Sequence, residues 1–341
     1  MSSDRLYVIG NGFDLHHGLR TQYSDFQAYL KKQNPSLLYL LDSCFSVDLW
    51  SDFESNLSKL DIAEIFADNE DLLPDDNSDR DGDKYVFIDK MEQIKNNLTV
   101  GLRDELRNWI LALDYPSDID RIKLNLDTNA TFLTFNYSDT LERLYKINSD
   151  HIIHIHNKAI WIDLDKFSPK ERSIIEISER FKAKFHEFWP QESKIRRSVL
   201  EDNSDIIIGH AVKNISLERP TTTQKGINTS YSYEEGFDMI KSYDNYKNTE
   251  QILNKNRYFF NNLHSINTII IIGHSLSDVD IPYFEELSNK AIKCEKYKIT
   301  HYGAENLKNI QVQSAKFLNI NQNIDFVNLD DDIENIRHNL K

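Results

Sequence analysis

Glycines and polar residues directly follow the first hydrophobic segment of the chain, in Gly10-Asn11-Gly12-Phe13-Asp14. A turn of this kind between a strand and a helix presents main-chain N–H groups and a positive helix end, the arrangement that binds phosphate in α/β proteins. The dinucleotide pattern Gly-x-Gly-x-x-Gly is incomplete because Leu15 stands at the position of its third glycine. A phosphate cradle and an ordinary tight turn are both open for this segment.

Asn136 follows a second hydrophobic segment, in Thr134-Phe-Asn-Tyr-Ser138. A side-chain amide donates and accepts hydrogen bonds at once, so Asn136 could hold a water molecule or a sugar hydroxyl. The alternative is that it caps the helix that follows, a role that Ser138 could equally fill. Taken without their context, these residue types favour the cap.

Three histidines lie in His151-Ile-Ile-His-Ile-His156-Asn157. His154 and His156 are two positions apart and would face the same side of a strand. They could chelate a transition metal, but no third ligand has strand spacing and no cysteine is near. A single histidine at a strand end is better suited to be a general base, and His156 has that position. For His151 and His154 we expect rings that hydrogen-bond to backbone carbonyls.

A fourth polar segment, Gly273-His274-Ser275-Leu-Ser-Asp-Val-Asp280, follows another strong hydrophobic run. Gly273 would let a ligand approach the backbone, Ser275 and Ser277 offer hydroxyls, and Asp278 or Asp280 could cap the next helix. The carboxyl ends of parallel strands share one edge of a sheet. We therefore expect Gly10, Asn136, His156 and Gly273 to line one cleft.

The segments that must position these residues are short, hydrophobic and rich in β-branched residues. They are nearly continuous rather than alternating, which is typical of strands covered on both faces, in a mainly parallel sheet. We predict an α/β, Rossmann-like fold with the first strand inside the sheet and residues 1–341 forming one domain. The strand-like segments are 5–10, 130–135, 151–155, 205–208, 267–272, 297–302 and 325–329.

Helical patterns occupy the sequence between these strands. The clearest spans 84–113, where apolar residues recur at three- and four-residue spacing and indicate core packing. We predict helical insertions at about 36–125, 160–203 and 230–263. The acidic stretch 68–83 reads as a solvated loop. Its partial EF-hand spacing lacks the bidentate glutamate, because Ile88 stands there, so we predict no metal site.

Composition limits the classes of partner and compartment. The 341 residues include 40 Lys+Arg and 55 Asp+Glu, a net charge of −15, which argues against bulk nucleic-acid binding but permits a small anionic ligand. Two cysteines, Cys44 and Cys294, form neither a metal-binding pattern nor a disulfide framework. Neither a signal-type segment nor an apolar run of ~18 residues is evident. We expect a soluble, cytoplasmic protein without a membrane segment.

The order of these motifs resembles the bacteriophage abortive-infection AbiH family. The resemblance runs from residue 5 to about 330, and Ile9–Leu19 with Tyr23-Ser-Asp-Phe26 is its most specific part. It also includes Trp50-Ser-Asp-Phe-Glu54 and Ile208-Gly-His210. That family is in turn similar to a distant branch of the sirtuin-like NAD-binding fold.

The sirtuin-like resemblance implies roles for individual residues. Asn136 would be the catalytic asparagine and His156 the catalytic base. The implied cofactor-binding residues are Gly10, Asn11, Gly12, Phe13, Asp14, Gly273, His274, Ser275 and Asp280. Two departures matter. Asn157 replaces the glycine that follows the catalytic histidine, which could alter the backbone there, and the zinc-binding cysteine quartet of deacylating sirtuins is absent.

Three hypotheses follow for the function. The first is an antiphage effector that hydrolyses NAD⁺ to nicotinamide and ADP-ribose. The second is a module that binds NAD, ADP-ribose or a phage protein without turnover. The third is a metal-dependent nuclease that uses Asp14, Asp52 and Glu54. The partners expected are a small nucleotide, a phage-derived trigger or companion defence protein, and further copies of the chain in a homo-oligomer.

Overall fold

The structure is a computed structural model that describes residues 4–74, 82–118, 122–159, 207–208, 231–243, 248–318, 322–331 and 333–340. By internal contacts the chain divides into two compact units. We call the first the sheet unit, which comprises Met1–Asp25, Ile110–Ala159 and Asn248–Lys341. We call the second the helical unit, which comprises Phe26–Trp109 and Ile160–Lys247. The assignment of the whole chain to one domain stays a prediction.

The sheet unit contains a six-stranded parallel sheet with the strand order β3-β2-β1-β4-β5-β6. The predicted α/β, Rossmann-like class is therefore confirmed, and so is the interior position of the first strand. The strands are β1 Arg5–Ile9, β2 Thr131–Thr134, β3 Ile152–His154, β4 Thr268–Ile272, β5 Lys296–His301 and β6 Asn323–Asn328.

The central strands are hydrophobic without interruption because both of their faces are covered. In β1, the four residues Leu6 to Ile9 are almost completely buried, and the same holds for Ile269 to Ile272 of β4. β1 pairs with β2 on one side and with β4 on the other. The strand predicted at 205–208 is not found at Ile207 and Ile208, which lie outside any strand, and 205–206 lie outside the described residues.

Helices fill the sequence between the strands. In chain order they are α1 Asn11–His16, α2 Tyr23–Gln33, α3 Pro35–Ser43, α4 Phe53–Asn56, α5 Ile62–Ala67, α6 Asp83–Asn96, α7 Leu102–Leu111, α8 Thr140–Tyr145, α9 Tyr231–Lys241, α10 Thr249–Lys255, α11 Arg257–Asn261, α12 Ile281–Lys290, α13 Gly303–Ser314 and α14 Ile333–Asn339. Single 3₁₀ turns span Leu49–Asp52, Glu70–Leu72, Ser149–His151 and Leu263–Ser265. The insertion predicted at 160–203 lies outside the described residues.

The helix predicted at 84–113 is present as α6 and α7, joined by a π-helical turn at Asn97–Gly101. α9 packs closely against α6, since a Cβ on Gly236 would lie 2.5 Å from a ring carbon of Phe87. Aromatic residues of the family-like motifs form part of this core. The ring of Phe26 lies 5.2 Å from Trp109 and 6.2 Å from Phe53, between ring centroids.

One buried histidine ties the first turn of the sheet unit to the far end of α8. His17 Nδ1 donates to the Phe13 carbonyl at 2.7 Å, and the Tyr145 hydroxyl donates to Nε2 at 2.7 Å while accepting from Leu124 N at 2.8 Å. This set of bonds requires a neutral ring. Burial lowers the pKa of His17 to about 4, which agrees with that tautomer.

Among the residues that the structure describes, no helix combines the length and the apolar character needed to cross a bilayer.

Two glycine turns meet where β1 and β4 end. The N–H of Gly12 donates to the carbonyl of Gly273 at 2.7 Å, and the N–H of Gly10 donates to Ile272 at 2.9 Å. Gly273 has φ +64, and a Cβ there would lie 2.2 Å from the nitrogen of Phe13. Glycine is therefore required at this point for both space and backbone conformation.

We expect Gly273→Ala to lower the free energy of unfolding by roughly 3 kcal/mol, because the new methyl group overlaps backbone atoms and the left-handed conformation disfavours a side chain. Gly82→Ala is the matched control, since a Cβ on Gly82 meets no atom within 4 Å. Urea denaturation followed by circular dichroism measures both variants. Equal stability of the two variants would contradict the close approach of the turns.

Candidate functional site

Asn136 connects the carboxyl ends of β1 and β2. Its side-chain Nδ2 donates to the carbonyl of Gly10 at 3.0 Å, and its own N–H donates to Thr134 Oγ1 at 3.1 Å. The residue is 8% exposed. The cap interpretation is wrong for both candidates, because α8 begins at Thr140 and the residue at its N-cap is Asp139. The Asn136 amide instead lies against the glycine turn.

Asp14 is a buried carboxyl group beside Asn136. Ser138 Oγ donates to Asp14 Oδ2 at 2.6 Å, and the Ser138 hydroxyl is 2.9 Å from Thr140 Oγ1. Burial raises the pKa of Asp14 to about 6, although hydrogen bonds from Ser138, Thr140 and Asn136 act in the opposite direction. This carboxyl group therefore exchanges a proton close to neutral pH.

His156 lies at the end of β3 and is 3% exposed. Its ring packs among aromatic rings, with centroid distances of 5.3 Å to Phe135, 5.5 Å to Tyr283 and 6.5 Å to Tyr137. Phe135 also contacts His274 of the next turn, at 4.4 Å. The sequence interpretation passed over Phe135, which connects the ends of β2, β3 and β4. Its position directly before Asn136 was the available signal.

Asn157 adopts a left-handed backbone conformation, with φ +61. Glycine takes this conformation without strain, and asparagine is among the other residues that tolerate it best. Asn157 therefore adopts a backbone conformation that a glycine at this position could also adopt. The N–H of Asn157 donates to the carbonyl of His154 at 3.1 Å and closes this turn.

The turn after β4 is braced by its own side chains. His274 Nδ1 accepts from Leu276 N at 2.9 Å, and its Nε2 lies 3.7 Å from Asp280 Oδ2. Ser277 Oγ donates to the same Asp280 oxygen at 3.1 Å. Asp280 stands at the N-cap of α12 but makes no capping bond there. Ser275, by contrast, is exposed.

The glycine turn after β1 is likewise held by other parts of the sheet unit. Besides the bonds of Gly10 and Gly12 to β4, Asn11 Nδ2 donates to the Thr21 carbonyl at 2.8 Å, and the Tyr302 hydroxyl donates to the Gly12 carbonyl at 2.7 Å. The structure thus brings Gly10, Gly12, Asn136 and Gly273 to one edge. Phosphate binding by this turn stays a prediction.

The residues proposed as nuclease ligands are divided between the two units. Asp14 belongs to the sheet unit, whereas Asp52 and Glu54 belong to the helical unit. Within the described part of the chain, no group of three or more His, Cys, Asp or Glu side chains could hold a metal ion. His210, part of the family-like motif set, lies outside the described residues.

The comparisons with known proteins agree with the order of the motifs. A family model described as "Bacteriophage abortive infection AbiH" matches residues 6–302. No curated protein and no solved structure matches the chain. The similarity to sirtuin-like proteins stays a prediction.

The pKa of Asp14 predicts the sign of a pH effect on stability. The folded state holds the proton more tightly than the unfolded chain between pH 3.8 and about 6, so the contribution of Asp14 to stability is largest at low pH and is lost as the pH rises through 6. As the pH rises from 3.5 to 7.5, we expect the free energy of unfolding of Asp14→Asn to increase by about 3 kcal/mol relative to that of the wild type.

Urea denaturation at both pH values tests this expectation. The quantity to compare is the difference in free energy of unfolding between variant and wild type. His17, whose pKa is lowered to about 4, changes the stability of both proteins with pH in the direction opposite to Asp14, and its effect cancels in this difference. A difference that does not change with pH would contradict the raised pKa of Asp14.

Proposed function

The chain belongs to the bacteriophage abortive infection AbiH family, which supports a role in phage defence, and we propose that it fulfils this role by hydrolysing NAD⁺. The bond that breaks joins nicotinamide to the ribose carbon. Nicotinamide leaves as a neutral molecule with the bonding electrons, and water adds to the ribosyl carbon to give ADP-ribose. One proton of the attacking water stays on the new hydroxyl group, and a base must take the other.

The contact of Asn136 with Gly10 carries this proposal. It places a side-chain amide at the edge where β1 and β2 end, 3.0 Å from a main-chain carbonyl of the glycine turn. An amide fixed in this way can orient a water molecule or the ribose hydroxyls. β3 is the neighbour of β2 in the sheet, and His156 lies two residues beyond the last residue of β3, so the proposed base follows the adjacent strand.

The other candidate residues would bind the remainder of the dinucleotide. Asp14, whose pKa is raised to about 6, is largely ionised at neutral pH and would accept a hydrogen bond from a ribose hydroxyl. Gly10, Asn11, Gly12 and Phe13 would contact the pyrophosphate. The turn formed by Gly273, His274, Ser275 and Asp280 would contact the adenosine side, where the exposed Ser275 hydroxyl is accessible.

The burial of His156 implies that turnover requires a change of conformation. Tyr137 is partly exposed, whereas Tyr283 is fully buried, so Tyr137 is the ring that can move aside to admit a substrate. A base that is enclosed at rest suits an abortive-infection protein, because unregulated hydrolysis of NAD⁺ would harm an uninfected cell. A phage-derived trigger or a companion defence protein would then favour the open conformation.

The same enclosure of His156 favours a second candidate, a module that binds NAD or ADP-ribose without turnover. In that case the aromatic packing around His156 would be permanent, and the histidine would serve only the core.

Purified protein should convert NAD⁺ to nicotinamide and ADP-ribose, measured by liquid chromatography with and without phage lysate. We expect Asn136→Ala and His156→Ala to reduce the rate by ~10²–10⁴, the usual cost of removing a general base or a positioning group. Asn129→Ala and His264→Ala are matched controls, because both residues are exposed. Binding of NAD⁺ without nicotinamide release would favour the second candidate.

In cells that express the protein, we expect NAD⁺ to fall after phage challenge and to remain at its normal level in cells with His156→Ala. The variant should also lose protection against the phage, since protection would depend on the depletion. Quantification of NAD⁺ and plaque counts in the same cultures test this. Full protection by His156→Ala would show that the histidine is structural and that hydrolysis is not the defence mechanism.

A further inference from the structure

We propose that Glu142 is a positioning residue that holds Asn136 and the chain on both sides of His156 in one fixed arrangement. This inference rests on the proposed function, because it assigns Glu142 to the same reaction. Glu142 lies in the first turn of α8, the helix that follows Asn136 in the sequence.

The positioning depends on a chain of polar contacts that begins at the backbone of Asn136. The carbonyl of Asn136 lies 3.2 Å from His154 Nδ1, and His154 Nε2 lies 3.3 Å from Glu142 Oε1. Lys158 Nζ donates to the same carboxylate oxygen at 2.6 Å. Glu142 thus contacts His154 and Lys158, which lie two positions before and two positions after His156.

The hydrogen-bonding capacities of the three groups match. The Asn136 carbonyl and the Glu142 carboxylate are both acceptors, and each lies beside one nitrogen of the His154 ring. The Lys158 ammonium group donates to the same carboxylate. A ring held at both nitrogens cannot rotate without breaking one of the two bonds.

The charge of Glu142 is protected by these neighbours. The side chains of His154, Glu142 and Lys158 are 12%, 19% and 30% exposed. Burial alone would raise the pKa of Glu142, but the hydrogen bonds from His154 and Lys158 lower it to about 2. The carboxylate therefore stays ionised at every pH at which the protein would act, and the limited access of water strengthens its interactions.

Backbone hydrogen bonds reinforce the same connection. Ile155 N donates to the Thr134 carbonyl at 3.0 Å, and Ala159 N donates to the Tyr137 carbonyl at 2.8 Å. The chain before and after His156 is thereby tied to the chain before and after Asn136. Glu142 adds a side-chain connection between these two segments. Its loss should therefore change the distance between the Asn136 amide and the His156 ring.

Glu142→Gln is the informative variant, because glutamine keeps the shape and one acceptor oxygen while it removes the charge. The matched control is Glu286→Gln, in which the glutamate of another lysine pair, 3.6 Å from Lys290 on α12, receives the same change. We expect Glu142→Gln to lower kcat for NAD⁺ hydrolysis by about 10- to 100-fold, with little change in KM. Glu142→Asp keeps the charge and should recover part of kcat.

A purely structural role would instead lower the melting temperature without this selective loss of kcat. The melting temperatures of Glu142→Gln and Glu286→Gln should therefore agree within about 2 °C. An unchanged kcat in Glu142→Gln, or a loss of activity that merely follows a loss of stability, would overturn the inference.

A second readout does not require NAD⁺ hydrolysis. In protein labelled with ¹⁵N-asparagine and ¹⁵N-histidine, we expect the resonances of the Asn136 side-chain amide and the His156 ring to shift in Glu142→Gln and to stay in place in Glu286→Gln. Unshifted resonances would overturn the positioning role, even in a protein that shows no hydrolysis. If these resonances shift in Glu142→Gln while the wild-type protein leaves NAD⁺ intact, the positioning role is supported and only the proposed reaction is refuted.

Discussion

The contact between Gly12 and Gly273 is the constraint on which the edge of the sheet depends. The N–H of Gly12 and the carbonyl of Gly273 are 2.7 Å apart, a separation that leaves no room for a side chain on either residue. Asn136 binds the Gly10 carbonyl next to this contact, and Tyr302 binds the Gly12 carbonyl. The two turns therefore act first as a rigid platform, against which the polar residues of neighbouring strands are placed.

Two carboxyl groups of the sheet unit, Asp14 and Glu142, have opposite environments. Burial raises the pKa of Asp14 to about 6, although hydroxyl and amide groups donate hydrogen bonds to it. Glu142 is paired with a histidine and a lysine, and its pKa falls to about 2. The first group can change its protonation state near neutral pH, whereas the second is a permanent charge.

Aromatic rings enclose His156 near the ends of three strands. Phe135 contacts both His156 and His274, so the ends of β2, β3 and β4 share one ring as a common neighbour. Movement of any of these strand ends would disturb the other two.

Local patterns determined the parallel sheet, the interior position of β1 and the long helix at 84–113. Continuous hydrophobic runs and helical periodicity are properties of neighbouring residues in the chain, so they can be read from the sequence. The sequence also placed Gly10, Asn136 and Gly273 at strand ends. It favoured a helix cap for Asn136 and could not show the contact with Gly10, because these two residues are 126 positions apart.

Only the tertiary structure decided the environment of each side chain. The enclosure of His156 depends on Tyr283, and the role of Glu142 depends on the pairing of β2 with β3. Both depend on residues that are distant in the sequence, and long-range packing rather than local residue preference brings them together.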